Sequence, residues 1–530
     1  MRRPMNRQQR RAEMKRSGSV QLDALFSAAL AHHQAGRLND AKRGYRQILA
    51  ANPAHADALH MLGMVEHQSG RYDAAVGLIA QAIALHDAAP YHFNLARVFE
   101  DAGRLEEAAG AYRKTIVLWP DNADAHANLG SVLQELGQLE GAENCFRQAI
   151  AREPGFAEAH TNLGNVMREL GQLEGAEACG RRAIALAPGF AEAHCNLGAT
   201  LSRQGRMDEA IACARHALVL QPDLASAHHN LALALLARGD MAEGWAEYEW
   251  RWRTPRMRGA QRVFAQPQWQ GEAAPGRVLL IHAEQGFGDT LQFCRYASLA
   301  AARGLRVILE VQEPLVRLLQ GLPGVEQVIA QGATPQRFDL HIPMPSLPGV
   351  FKTEIETIPA APSYLHADAA MVEAWRERLA GSLGLRVGLA WAGSPYLAAD
   401  RQRSLPPAQL APLFAAPGVK FFSLQKSGPA APTDFPMCDF MPEMEDFSAT
   451  AALIANLDLV ISVDTAIAHL AAALGKPVWL INRFDSCWRW FANRPDSPWY
   501  PTMRIYRQIR PDDWGYIVTE IARDIQSFRA

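Results

Sequence analysis

The segment SVDTAIAHLAAALGKPVWL, Ser462 to Leu480, decides the fold of the second half of this 530-residue chain. The apolar run LDLVISV, Leu457 to Val463, predicts a buried strand, the Ala/Leu-rich stretch a helix, and VWLI, Val478 to Ile481, a second strand. Asp464 and Thr465 fall where the helix begins. Because the free N–H groups and the dipole at a helix N-terminus favour anions, the segment predicts a phosphate-binding strand–turn–helix unit.

Strand and helix patterns alternate on the N-terminal side of this unit as well. VLLIHA (278–283) leads into the glycine-containing loop EQGFGDT, and RVILEV (306–311) follows. A second series opens with RVGLAWAG (386–393) and continues with KFFSLQ (420–425). Such alternation predicts two parallel sheets covered by helices. Ligands of open α/β sheets lie at the carboxyl ends of the strands, which predicts a site between the two halves.

The first half of the chain repeats itself with a period of 34 residues, and with 33 at one step, as its turn glycines show: Gly36, Gly70, Gly103, Gly137, Gly171, Gly205 and Gly239. The clearest copy matches the tetratricopeptide repeat at Leu129, Gly130, Leu133, Ala142, Phe146, Ala149 and Pro154. About seven such helix pairs predict an α-solenoid with a concave ligand face.

Asparagines recur two residues before the Gly/Ala position of five repeats, at Asn94, Asn128, Asn162, Asn196 and Asn230. An amide donates and accepts hydrogen bonds, so a ladder of amides can bind a peptide backbone without reading its sequence. The pattern resembles the asparagine ladder of eukaryotic O-linked N-acetylglucosamine transferases. The alternative is that each amide bonds a neighbouring helix. Histidines that recur in the same repeats are interpreted as packing residues.

Composition narrows the class of protein. A formal net charge of -2 gives no reason to expect nucleic acid, and no apolar run approaches the length of a membrane span. The seven cysteines are scattered without metal-ligand spacing, which predicts reduced thiols in a cytoplasmic protein and no metal site.

Three phrases carry a family resemblance: EQGFGDTLQF, DTAIAHLAAALGKPVWL and the aromatic tail with CWRW and SPWYP. They resemble a bacterial family that fuses tetratricopeptide repeats to a family 9 (heptosyltransferase-like) glycosyltransferase. The resemblance implies the GT-B architecture, a pair of facing Rossmann-like halves. Some relatives with this layout glycosylate flagellin.

GFGDTLQF resembles the loop of family 9 enzymes in which an aspartate acts as base on the acceptor hydroxyl, and the match falls on Asp289. The alternative is an ordinary helix cap, for which Asp is a favoured residue. The expected acceptor loop also includes Gly286, Gly288, Thr290 and Gln292. Gln292 stands where many heptosyltransferases have His, which argues against their lipopolysaccharide acceptor.

Asp464, Thr465 and His469 match the D-[ST]-G-x-x-H donor motif of the same family, with Ala466 in place of the glycine. The Cβ of Ala466 leaves less room for a diphosphate at the backbone. For His469 the alternative is a histidine that belongs to the core. Further candidates for contact with the donor phosphates are the backbone at Gly393 and the side chains of Arg403 and Lys426; such charges are more often solvent-facing.

These patterns predict an α+α/β protein with a tetratricopeptide α-solenoid followed by a GT-B-type pair of Rossmann-like halves. The expected boundaries are a basic disordered tail (1–20), the solenoid (21–255), a linker (256–276), an acceptor-side half (277–370) and a nucleotide-sugar half with a closing helix (371–530). That helix, near 514–528, is expected to fold back across the first half.

The function hypothesis is an inverting glycosyltransferase that moves a sugar from a nucleotide-sugar donor to a hydroxyl, on a protein held by the repeats, with a flagellin-like protein as one candidate. No cofactor or metal is expected. Two alternatives are a catalytically inactive repeat scaffold with a transferase-like binding domain, and a transferase acting on a carbohydrate acceptor.

Overall fold

The computed structural model describes residues 7–333, 335, 337–394, 403–492 and 494–529, with side chains from Val20 onward. The chain divides into two compact units, Met1–Asn196 and Leu197–Ala530. The division falls inside the predicted repeat region, so the last repeats are part of the same compact unit as the α/β halves.

The first unit is built from paired helices: α1 (Arg7–Gln34), α2 (Leu38–Ala51), α3 (Ala56–Gln68), α4 (Tyr72–Leu85), α5 (Ala89–Asp101), α6 (Leu105–Leu118), α7 (Ala123–Glu135), α8 (Leu139–Arg152), α9 (Ala157–Glu169) and α10 (Leu173–Leu186). Helix α11 (Ala191–Arg203) crosses the division between the units. Each odd-numbered helix up to α9 packs against the helix that follows it, as tetratricopeptide repeats do.

Helix α1 begins at Arg7, inside the segment for which the sequence predicted a disordered tail. Residues 7–16 consist of Arg, Gln, Ala, Glu, Met and Lys, which all have high helix propensity. A strongly basic composition therefore does not stop this helix from extending the first repeat towards the N-terminus.

Two recurring features, a backbone conformation and a hydrogen bond, explain the repeat pattern of the first unit. The five turn glycines of this unit, from Gly36 to Gly171, have φ between 71° and 81°, a left-handed conformation that favours glycine. The recurring histidines each donate from Nε2 to the carbonyl of a proline six residues earlier, with N···O distances of 3.1, 3.3 and 3.1 Å for His126 to Pro120, His160 to Pro154 and His194 to Pro188. The interpretation of these histidines as packing residues agrees with these contacts.

The second unit begins with the last repeats, α12 (Met207–Leu220), α13 (Ala225–Arg238) and α14 (Met241–Tyr248), followed by the 3-10 turn Glu249–Arg253. Trp245 is buried and donates from Nε1 to the carbonyl of Thr353 at 3.0 Å. Its ring meets Trp488 edge-on, with ring centroids 5.3 Å apart. The tryptophan-rich segment thus seals the last repeat against the α/β region, as the sequence predicts.

The first sheet has four parallel strands, β1 (Val278–His282), β2 (Arg306–Val311), β3 (Val325–Ala330) and β4 (Leu340–Pro343), in the order β3-β2-β1-β4. Its helices are α15 (Phe287–Phe293), α16 (Tyr296–Ala302), α17 (Val316–Leu319) and α18 (Leu347–Val350). The predicted linker joins this half: Trp269 is fully buried, and its N–H donates to the His341 carbonyl at 2.8 Å.

The second sheet contains β5 (Leu385–Ala390), β6 (Val419–Ser423), β7 (Met437–Asp439), β8 (Leu459–Val463), β9 (Val478–Asn482), β10 (Asp496–Ser497) and β11 (Tyr500–Arg507), in the order β10-β11-β9-β8-β5-β6-β7. All pairs are parallel except β10 with β11. Counted from β5 and leaving out β10, the order is the 3-2-1-4-5-6 of a Rossmann sheet. The predicted α+α/β fold is confirmed.

In the part of the second half that the structure describes, the α-helices with given bounds are α19 (Ala369–Arg378), α20 (Phe447–Ala455), α21 (Ala466–Ala473) and α22 (Trp514–Asp524). The prediction that the last helix folds back across the first half is wrong. Trp514, Ile517 and Ile521 of α22 pack into the apolar layer beside β5 and the 3-10 helix Pro407–Ala415, because that face of the second sheet would otherwise expose its own apolar side chains.

Candidate active site

The predicted site residues follow strands at the carboxyl edges of the two sheets. Asp289 comes after β1, which lies next to β4, where the strand order of the first sheet reverses. Asp464 comes after β8 and Gly393 after β5, the two neighbours at the corresponding reversal in the second sheet. Ligands of such sheets bind at these reversals, so both halves direct their candidate residues to the expected places.

The two edges are in direct contact through α15 and α21. A Cβ placed on Gly288 would lie 2.9 Å from Cδ2 and 3.3 Å from Nε2 of His469. Real Cβ atoms essentially never approach another heavy atom to 2.9 Å, so glycine is what allows the loop after β1 to approach the His469 ring. Two motifs 181 positions apart in sequence therefore form one site.

Asp289 has two partners. Its Oδ2 accepts from the backbone N–H of Gly286 at 3.1 Å, which caps the first turn of α15. Its Oδ1 accepts from the guanidinium of Arg489, which belongs to the loop between β9 and β10 of the other half. The helix-capping role that was the alternative interpretation of Asp289 is therefore present, and the second oxygen faces the opposite half.

Arg489 is a site residue that the sequence patterns did not single out. Its Nε donates to Oε1 of Gln292 at 2.8 Å, and its guanidinium lies 4.5 Å from the ring centroid of Trp488. Burial, the largest single influence, lowers the pKa of Arg489, but Asp289, Cys487 and Tyr248 together raise it by more, and the net shift is upward. The only available signal was an arginine between two tryptophans in CWRW.

Gln292 is fully buried beside the ion pair between Asp289 and Arg489. Its Oε1 is bonded to Arg489, whereas its Nε2 has no hydrogen-bond partner among the described residues. Buried amide nitrogens without partners are rare and costly. The polar atoms beside Asp289 are thus only partly satisfied within the protein.

His469 is a buried, neutral histidine. Its Nδ1 is 2.8 Å from the Tyr500 hydroxyl, and its Nε2 is 4.0 Å from Oδ1 of Asp464, too far for a hydrogen bond. Burial, and then the positive charge of Arg489, lowers the pKa of His469 to about 3. The ring therefore carries no charge at neutral pH, and its position combines the core packing of the alternative interpretation with contact to the Gly288 loop of the other half.

The donor-motif residues form the start of α21 as the sequence predicts. Thr465 is the N-cap residue, and its Oγ1 lies 3.0 Å from the Ser462 hydroxyl. The backbone N–H groups of Ala466 and Ile467 belong to the first turn and have no partner within the helix. The side chain of Asp464 retains 22% of its exposure. The helix end presents donor groups, while Ala466 adds a methyl group beside them.

Three weaker candidates have partners that limit a phosphate role. The N–H of Gly393 donates to the Ser404 hydroxyl at 3.1 Å. Lys426 donates from Nζ to the carbonyls of Met441, at 3.2 Å, and Met444. Arg403 approaches the Asp464 carbonyl at 3.5 Å. Lys426 therefore fixes the backbone at residues 441–444 rather than standing as a free countercharge, and of the three Arg403 lies nearest to the donor motif.

The five asparagines occupy equivalent places, half-buried on α5, α7, α9, α11 and α13. In the first unit, the Asn94 amide lies 2.9 Å from Nε2 of His60, one repeat earlier. Asn128 shares a hydrogen bond with the Tyr112 hydroxyl. The alternative interpretation, in which the amides bond neighbouring helices, applies to these two positions.

Among the described residues, no group of three or more His, Cys, Asp or Glu side chains is arranged to hold a metal ion. Within the same residues, none of the helices combines the length and apolar character needed to cross a membrane.

Comparisons with known families agree with this architecture. Residues 26–93, 191–224 and 225–244 match tetratricopeptide repeats, and residues 92–196 match the middle TPR-like domain of cilia and flagella-associated protein 70. Residues 430–481, which include β8, α21 and most of β9, match glycosyltransferase family 9 (heptosyltransferase). The chain thus combines segments that match tetratricopeptide repeats with a segment of the C-terminal α/β region that matches part of family 9.

Protein FlbA of Caulobacter vibrioides is 28% identical over 326 residues, which cover 54% of this chain and 53% of that protein. The chain thus spans about half the length of this curated relative. Two solved structures are similar to the repeats. A tetratricopeptide repeat protein from Parabacteroides merdae is 16% identical (43% of this chain, 91% of that chain, TM-score 0.38). PilF of Pseudomonas aeruginosa is 18% identical (40% and 97%, TM-score 0.36).

Proposed function

We propose that this protein is a GT-B-type glycosyltransferase that moves a sugar from a nucleotide-sugar donor to a hydroxyl acceptor. The observation that carries the proposal is the direct contact between the Asp289 loop and the N-terminal end of α21 at the facing edges of two Rossmann-ordered sheets. The family 9 match over residues 430–481 supports a nucleotide-sugar site in the second half.

The proposed chemistry uses one group from each half. Asp289 accepts the proton of the acceptor hydroxyl while the hydroxyl oxygen attacks the anomeric carbon of the donor sugar. The bond from that carbon to the diphosphate oxygen breaks. The first-turn N–H groups of α21 stabilise the negative charge that the leaving diphosphate gains. Attack from the side of the first half, opposite the leaving group, inverts the anomeric configuration. No metal ion is assigned a part.

For Asp289 to act as a base, Arg489 must give up at least part of its contact with that carboxylate. A diphosphate entering at α21 offers the guanidinium a second anionic partner, and guanidinium groups bind phosphate well. The proposal therefore includes a change of partner by Arg489 when the donor binds.

The acceptor in this proposal is a Ser or Thr hydroxyl of a protein held by the repeats, and a flagellin-like protein is the first candidate. The recurrent position of the five asparagines on the first helices of their repeats supports a peptide-binding role. Among the described residues, none of the seven cysteines is in a disulfide, which supports a reducing, cytoplasmic compartment.

A thermal-shift screen with nucleoside diphosphates, followed by transfer from the matching nucleotide sugars to proteins of the host cell, tests the proposal. A ligand at a hundred times its dissociation constant stabilises the folded state by about 2.7 kcal/mol. With an active donor, Asp289→Asn is expected to reduce kcat about 10²- to 10⁴-fold while leaving the nucleotide shift intact. Unchanged transfer by Asp289→Asn would refute the assignment of the base.

The second candidate function is a repeat scaffold whose transferase-like region no longer catalyses. The ion pair between Asp289 and Arg489 favours it, because a carboxylate engaged by a guanidinium is not free to accept a proton. A scaffold of this kind is expected to show no thermal shift with any nucleoside diphosphate, which separates it from the enzyme.

A further inference from the structure

We infer that the last repeat is a positioning element of the candidate active site, with Arg251 holding the loop that carries Asp289. Arg251 lies in the 3-10 turn that follows the last repeat helix, and only 1% of it is exposed. An arginine this deeply buried at the end of a solenoid requires compensating partners.

Within its own turn Arg251 donates from Nη1 to Oε1 of Glu249 at 2.7 Å, and the other side chains to which it donates belong to the first α/β half. Its Nε and Nη2 donate to the two carboxylate oxygens of Glu284 at 2.9 and 2.7 Å, and Nη2 also donates to the Ser346 hydroxyl at 2.8 Å. The Glu284 side chain is itself 3% exposed. A bidentate pair of this kind fixes orientation as well as distance, and Glu284 is five residues before Asp289.

A second connection runs from the last repeat helix to the residue beside Asp289. The Tyr248 hydroxyl accepts from Nε2 of Gln285 at 3.0 Å. The Gln285 carbonyl accepts from Nε2 of Gln312 at 2.7 Å, and Oε1 of Gln312 accepts from the Thr290 hydroxyl at 2.9 Å. The loop is therefore held by the repeat at its start and linked to it near the candidate base.

The same repeat also holds the loop that carries Arg489. The N–H of Ala492 donates to the carbonyl of Ala237 in α13 at 2.9 Å. Phe491, next to it, has φ 49° and ψ 161°, a strained conformation for a residue with a side chain. The guanidinium of Arg507 donates to the Phe491 carbonyl at 2.7 Å and helps to hold this turn.

One structural element thus contacts both loops whose side chains meet at Asp289. Rotation of the last repeat would shift the Asp289 loop and the Arg489 loop together, whereas Thr465 and His469 at the start of α21 bond to Ser462 and Tyr500 of their own half. Binding at the repeats is therefore expected to change turnover rather than nucleotide affinity. This last step rests on the proposed function; the positioning itself does not.

The test is a double variant, Arg251→Met with Glu284→Gln, which removes both charges and leaves neither one buried and unpaired. The matched control is Arg306→Met with Glu326→Gln, a bidentate pair at the amino ends of β2 and β3, on the far edge of the same sheet. Hydrogen exchange of the full chain is measured for peptides covering 284–293, 385–390 and 466–473.

We expect exchange in 284–293 to be about tenfold faster or more in the Arg251/Glu284 variant, and unchanged in the control and in the other two peptides. With an active donor, kcat falls while the thermal shift by the nucleoside diphosphate and the KM for the donor remain at parental values. Rescue by Arg251→Lys with native Glu284 should be partial, because lysine cannot make the bidentate contact.

Parental exchange in 284–293 overturns the inference. Faster exchange in all three peptides also overturns it, since Arg251 would then be a general stability residue. If no nucleoside diphosphate shifts the parent protein, the proposed function fails, and the exchange comparison still decides whether the last repeat positions the loop.

Discussion

The two α/β halves have the same strand order around their central strands, but they secure their candidate site residues in different ways. In the second half, Thr465 and His469 bond to Ser462 and Tyr500 of the same sheet. In the first half, Asp289 and its loop are held largely from outside, by Arg489 of the other half and by Arg251 of the repeat region. The candidate site residues of the second half are thus held within their own half, whereas those of the first half depend on its neighbours.

The difference has a physical basis in the size of the sheets. The first sheet has four strands and the second seven, so a loop at the edge of the first has fewer neighbours of its own. Arg295 illustrates the compensation. Its guanidinium, almost fully buried, donates to the Trp499 carbonyl at 2.7 Å and to the Tyr364 hydroxyl at 2.8 Å, and so fastens the first half to the second.

The largest effect is expected from removing the cation that joins the halves at the site. Arg489→Met leaves the Asp289 carboxylate and the Gln292 amide without their partner. Unpairing a largely buried charge of this kind is expected to cost about 3 kcal/mol of unfolding free energy. Denaturant unfolding of the parent and the variant measures the loss.

The double variant Arg489→Met with Asp289→Asn provides the control, because it also removes the unpaired charge. It should recover most of the lost stability, since the asparagine side chain can still cap α15. If the losses of unfolding free energy from the two substitutions are instead additive, the ion pair contributes nothing to the contact between the halves. The contrast between the halves then loses its main support.

An intermediate effect is expected at the point where the halves touch. Gly288→Ala places a methyl group 2.9 Å from Cδ2 of His469 and forces the two helices apart. Overpacking of this kind costs about 1–3 kcal/mol. Gly286→Ala is the matched control two residues away, where the nearest atom to the new Cβ is Oδ2 of Asp289 at 3.6 Å. Thermal unfolding should therefore distinguish the two alanines, and equal melting temperatures would contradict the close contact.

The architecture was readable from the sequence because its signals are local and periodic. Glycines at a fixed spacing and apolar runs before polar turns are sufficient to place the solenoid and the strand–turn–helix unit that begins after β8. The closing helix was misplaced because an amphipathic helix shows that it has an apolar face but not which sheet that face covers. The helix at Arg7 was missed because charge composition was weighed above helix propensity.

The candidate site was readable only where one motif supplies several residues. Asp464, Thr465 and His469 lie on one turn and helix, and Gly288 and Asp289 lie on one loop. Arg489 lies 200 positions after its partner Asp289, and Arg251 lies 33 positions before its partner Glu284. Only the fold shows that each arginine meets its partner. Lys426 was overinterpreted. The sequence shows a positive charge after a strand, but not the two backbone carbonyls to which its ammonium group donates.

The smallest expected effect is a pH dependence of the unfolding free energy, to which each half contributes one histidine. Each half contains a buried histidine with a low pKa: about 3 for His282, through burial first and then the charge of Arg262, and about 3 for His469. Both are neutral in the folded state and titrate near 6.5 when unfolded. The unfolded state therefore binds more protons between these values, so this contribution to stability is present above pH 6.5 and declines as pH falls towards 3.

From pH 7 to 5.5, each histidine should account for about 1 kcal/mol of lost unfolding free energy. His469→Asn and His282→Asn should each flatten the pH dependence by that amount, as measured by denaturant unfolding at both pH values. If a nucleoside diphosphate binds at α21, its negative charge should raise the pKa of His469 and leave that of His282 unchanged. A saturating nucleotide would then flatten the profile of the parent and of His282→Asn, but not that of His469→Asn. Equal flattening in all three proteins would place the bound anion away from His469 and remove the distinction between a nucleotide half and an acceptor half.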